Sequence, residues 1–109
     1  TDGIFFLKSD GATTISFIVE KDSTQSTLTL PNSLADDTFM TLGFVYDPKD
    51  QKFHVYQNNV LAGTVVSTNA PDNEELTVSF GIQNGAAAAK TLSVDYIGAH
   101  KERTAVTEL

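Results

Sequence analysis

Apolar and polar side chains alternate with a period of two along much of this chain, the pattern of strands with one buried face. Ile15, Phe17 and Val19 alternate with Ser16, Ile18 and Glu20. Met40, Leu42, Phe44 and Tyr46 repeat the pattern, with Phe39 and Val45 on the opposite face. Leu76, Val78, Phe80 and Ile82 face one way within 76–83, and Leu92, Val94 and Tyr96 alternate with Ser93, Asp95 and Ile97. About a quarter of the residues are Thr, Val or Ile, whose branched β-carbons fit pleated surfaces better than helices.

Turn chemistry separates these runs. Ser9-Asp10-Gly11 closes a first strand near residues 4–8, and Lys21-Asp22-Ser23 follows a second. A third is expected at 25–30, ending at Pro31, which cannot donate to a ladder. Asp47-Pro48-Lys49-Asp50 is a turn with proline at its favoured second position. Residues 53–57 read as a strand, and Asn58-Asn59, which tolerate positive φ, as a tight hairpin into 60–66. Loops are expected at 69–73 and from Asn84-Gly85, the second carrying Ala86 to Ala89, roughly one helical turn and too short to stand alone. About eight short strands predict an all-β, antiparallel two-layer protein, a sandwich or barrel, rather than βαβ units. The sandwich is expected over 1–98, with 99–109 as a polar tail or arm.

Length and composition narrow the classes of function. A chain of 109 residues suits one domain. With 40% hydrophobic and 19% charged residues it is neither disordered nor membrane-like in composition. No apolar run approaches the ~18 residues that span a bilayer. The absence of cysteine excludes disulfides, thiol catalysis and thiolate metal sites. A net charge of -7 repels phosphate backbones and anionic lipid, so neither nucleic acid nor membrane is an expected partner. The opening Thr1-Asp2-Gly3-Ile4 has no basic stretch before an apolar one, so it does not read as a signal peptide; it suggests a chain entered inside a domain.

Candidate chemistry is sparse. His54 lies in a strand, opposite in direction to Phe53 and Val55, and His100 lies in the polar tail; both read as surface residues. The acidic groups Asp36-Asp37, Asp47 with Asp50, and Asp72 with Glu74-Glu75 fall in loops without the ordered spacing of a calcium loop. Glycosidic cleavage needs two facing carboxylates, and the in-strand acids Glu20 and Asp95 are each single. There is no Trp to form a sugar platform. Phe5, Phe17, Phe39, Phe44, Phe53 and Phe80 mostly read as core, and Tyr46 and Tyr56 as interior rings with bonded hydroxyls, in preference to exposed rings near the strand ends. Gly81 and Gly85 do not form a phosphate cradle.

Two segments carry a resemblance. Residues 37–47, Asp-Thr-Phe-Met-Thr-Leu-Gly-Phe-Val-Tyr-Asp, followed by 53–63, Phe-His-Val-Tyr-Gln-Asn-Asn-Val-Leu-Ala-Gly, resemble concanavalin-like (laminin-G-like) jelly-roll domains. Those domains place a strand ending in an aromatic and Asp before a hairpin. Here Asn58-Asn59 stand for the usual Asp-Gly, and Phe39 stands where Trp is frequent. Residues 73–97, containing Gln83-Asn84-Gly85 and Ala88-Ala89-Lys90-Thr91-Leu92, resemble the version of this fold found in tailed-bacteriophage virion proteins. The resemblance covers residues 3–98 and implies the later portion of a longer jelly roll, truncated on its N-terminal side.

That resemblance implies a non-enzymatic structural or decoration protein on the phage particle surface. Its partners would be the major capsid protein or other virion proteins, and further copies of itself. The tail from Ala99, with Val106 and Leu109, would serve as an arm buried only in the assembly. A second reading is a lectin-like module for host glycans, using Asp47, Asn58, Asn59, Asn73 and Asn84, with calcium as an optional ion and no other cofactor. A glycosidase is the third and weakest reading.

Overall fold

The computed structural model describes residues 2–71, 93–94 and 97–99. The strands among these residues lie within a compact unit, Thr1–Glu75. They are β1 (Gly3–Leu7), β2 (Ser16–Lys21), β3 (Thr24–Thr29), β4 (Leu42–Asp47), β5 (Lys52–Gln57) and β6 (Val60–Val66), followed by a 3-10 turn at Ser67–Asn69. Among the described residues the protein is all-β, with two antiparallel three-stranded sheets, β1-β2-β3 and β4-β5-β6. Both are meanders, because each turn is too short for anything but a return alongside the strand just left. For the six strands within 2–71, expected and observed ends agree to within about two residues, the usual ambiguity of such boundaries. Leu30 N donates to Ile15 O at 2.8 Å, one rung beyond the assigned ends of β2 and β3.

Middle strands supply the core. Phe17 and Val19 of β2 and Phe53 and Val55 of β5 are buried, joined by Ile15, Leu30 and Val65. A strand flanked on both sides loses water from its edges as well as from its inner face, and each such side chain contributes roughly 1.5–3 kcal/mol. Phe17 touches three rings: Phe6 and Phe44 with centroids at 5.2 Å, and Phe53 at 5.8 Å. Ile18, on the opposite face, is also buried, between Phe5 and Thr27 in the ladder. A β-carbon added to Gly63 of β6 would lie 3.1 Å from both methyl carbons of Leu28 in β3, so the missing side chain admits the close approach of the two sheets.

Several aromatic expectations change. Phe39 is 71% exposed, because residues 31–41 are irregular and their alternation does not belong to a strand. Phe5 pairs with Ile18 on the face away from the shared core. Phe44 and Tyr46 do point inward, but they are 41% and 42% exposed; among the described residues β4 is an outer strand of its sheet. Tyr46 is therefore not an interior ring; it packs on Phe53 with centroids 4.9 Å apart. Phe80, most of the strands expected at 76–83 and 92–97, and nearly all of the 99–109 tail lie outside the described residues.

Candidate functional site

Asp47, Asn58 and Asn59 sit on the second sheet, each in a turn. Asp47 ends β4, and its Oδ1 accepts from Lys49 N at 3.0 Å, closing an Asx-type turn around Pro48. Its Oδ2 lies 3.9 Å from His54 Nε2, on the outer face of the sheet. Asn58 and Asn59 have φ of 54° and 67°, the paired left-handed conformation of a type I′ hairpin. Asn58 is tied to residue 41 twice: its N donates to Thr41 O at 2.8 Å, and its Oδ1 accepts from Thr41 N at 3.0 Å.

The length of β5 separates these groups. Asp47 pairs with Lys52 at one end of the strand, and Leu42 with Gln57 at the other, beside Asn58. Five residues of strand span about 17 Å. Asp47 and the asparagine pair therefore cannot hold the same small ligand. Asn73 and Asn84 lie outside the described residues. Among the described residues no group of three His, Cys, Asp or Glu side chains is placed to hold a metal ion.

The hairpin yields a prediction. Type I′ turns favour Asn-Gly, since a glycine at the second position has no β-carbon to strain at positive φ. Asn59→Gly is expected to stabilise the protein by about 0.5–1 kcal/mol. Asn58→Ala is expected to destabilise it by about 1–2 kcal/mol, through the strained φ and the lost bond to Thr41. Urea midpoints of the two variants against the parent give the signs.

The outer face of the second sheet is the feature that stands out. Val45, Leu61 and Val66 are all exposed there, Val45 by 58%, in register with His54, Tyr56 and Lys52. At one end, Val45, Tyr46, Asp47, Pro48, His54 and Tyr56 line a shallow open depression. Alternation placed Val45 on this face, but it could not show that Leu61 and Val66 would share the face from across β5.

Gln57 escaped the sequence reading. It is buried, 1% exposed, and its amide is fully used. Oε1 accepts from Asn32 N at 3.0 Å, while Nε2 donates to Asn32 O at 3.0 Å and to Met40 Sδ at 3.1 Å. The signal was present: Gln57 occupies the inward phase set by Phe53 and Val55, and a polar residue on an apolar phase needs built partners.

Comparison with protein-family models, curated proteins and solved structures finds no match to this chain.

Proposed function

We propose that this chain is a non-enzymatic structural protein of a tailed-bacteriophage particle. In this reading it is a jelly-roll module that decorates or cements the capsid surface through contacts with the major capsid protein and with copies of itself. The observation that carries the reading is the outer face of β4-β5-β6. Exposed Val45, Leu61 and Val66 share one sheet face, set around the Lys52, His54 and Tyr56 row of β5, and exposed apolar side chains on one face favour a contact surface. The turn roles of Asp47 and Asn58 fit the same reading, since both side chains hold the scaffold. The resemblance of residues 73–97 supplies the virion context.

The test is occupancy on particles. The chain is expected among the proteins of purified virions, in a fixed ratio to the capsid subunit. A chain abundant in the infected cell and missing from particles overturns the proposal. Leu61→Asp with Val66→Asp is expected to reduce occupancy at least tenfold while the circular dichroism stays that of the parent. Removal of residues 99–109 tests the arm separately, and unchanged occupancy rejects it.

A second reading rests on the outer depression, where Tyr56 and His54 lie beside Asp47. Aromatic and carboxylate groups around an open hollow suit a sugar ring. Glycan-array binding that Tyr56→Ala removes favours this lectin-like reading, and a chelator arm reports on calcium. An array without signal in either condition leaves the structural reading alone.

A further inference from the structure

We infer that Met40 is an oxidation site, at which a peroxide converts the thioether to the sulfoxide and so loosens the hold of Gln57 on the connection between the two sheets. Met40 is the one methionine of a chain without cysteine, so its Sδ is the only sulfur an oxidant meets. It packs on the core but is part-buried, within reach of a small peroxide. The step is an oxygen-atom transfer. A sulfur lone pair attacks one oxygen of hydrogen peroxide, and the O–O bond breaks as the S–O bond forms. Sulfur is oxidised by two electrons, and the departing hydroxide takes the proton of the transferred oxygen and leaves as water.

The partner of Met40 makes this more than surface damage. Gln57 is buried, and its Nε2 donates to Asn32 O at 3.0 Å and to Met40 Sδ at 3.1 Å. A thioether accepts such a bond weakly, through a lone pair. In the sulfoxide the sulfur is electropositive and repels the hydrogen. The gap between Sδ and Nε2 is too short for the new oxygen to stand between them. One Nε2 hydrogen is then stranded, and a polar group is set against the core. Gln57 regains an acceptor by turning toward water, which releases Asn32, whose N–H and C=O it holds. Thr41, next to Met40, is held independently by Asn58 and keeps its bonds.

The same contact selects a stereoisomer. Oxidation at one or the other lone pair of Sδ gives opposite configurations at sulfur. The Gln57 N–H occupies one lone pair, so oxygen enters at the other and one epimer predominates. The inference goes beyond the particle reading and does not depend on it.

The test treats the full chain with hydrogen peroxide, once folded and once in urea. The epimers are then read, after unfolding, with two methionine sulfoxide reductases of opposite specificity. Folded protein is expected to give one epimer in roughly fivefold excess or more, and unfolded protein near-equal amounts. The oxidised protein is expected to lose about 1 M in its urea midpoint. Its Asn32 amide is expected to exchange at least roughly tenfold faster than in the parent, beyond any change at Thr41. Near-equal epimers from folded protein, or a sulfur that reacts only in urea, overturn the inference. An unchanged midpoint, or equal acceleration at Asn32 and Thr41, also overturns it. Met40→Leu nearly conserves volume and removes the last sulfur, so peroxide should leave its midpoint unmoved. A peroxide shift in that variant as large as the parent's places the damage elsewhere and rejects Met40.

Discussion

Phe17→Ala is expected to lower the unfolding free energy by about 3–5 kcal/mol, the largest loss from any single truncation in the described core. Phe17 is fully buried and lies against the rings of Phe6, Phe44 and Phe53, so its removal leaves a cavity walled by residues from both sheets. Strand backbones cannot collapse into such a space without breaking ladders, so little of the loss is recovered. A domain of this size has roughly 5–15 kcal/mol in all, so the variant sits near the limit of folding. The corresponding fall in Tm is on the order of 15–30 °C. Phe39→Ala is the control, since Phe39 is mostly exposed; its effect is expected within about 0.5 kcal/mol. Thermal and urea unfolding of the two variants measure the contrast. Equal losses would mean that the burial difference between these two phenylalanines is wrong.

The same pair shows what alternation can and cannot reveal. A period of two identifies which residues share a face, and it placed Ile15, Phe17 and Val19 together on what proves to be the core side. It does not say which strand is flanked on both sides. Phe44 has the same phase as its neighbours Leu42 and Tyr46, yet it is partly exposed on a strand that, among the described residues, is flanked on one side, a fact set by distant pairing. Ile18 is the converse case, on the polar phase and buried, because β2 is central. Turns were legible for a local reason. The left-handed pair Asn58-Asn59 and the Pro48 turn are written in three or four consecutive residues. The tie of Asn58 to Thr41 was not, since it emerges only from the register of the sheet.

Gln57 carries the last prediction, because it ties down the connection between the two sheets. Asn32 and Met40 lie near the two ends of the segment that leaves β3 and enters β4, and one buried amide binds both. Gln57→Leu keeps much of the volume but leaves the Asn32 N–H and C=O without their partner. The expected loss is about 2–4 kcal/mol, from stranded polar groups at roughly 1–3 kcal/mol each. Gln57→Glu is the sharper probe. Its carboxylate can still accept from Asn32 N, but its other oxygen faces Asn32 O and Met40 Sδ, where a donor is needed. Protonation restores that donor, so burial and the two acceptors hold the native carboxyl above the unfolded value of about 4.3. Between those two pKa values the native state binds more protons than the unfolded state, so stability falls as pH rises. The gap between Gln57→Glu and the parent is therefore expected to be small below about pH 4 and to exceed roughly 2 kcal/mol at pH 7. Urea unfolding of both proteins at the two pH values measures it. A gap that does not change with pH would place residue 57 in water, and the connection would then be held by something other than this amide.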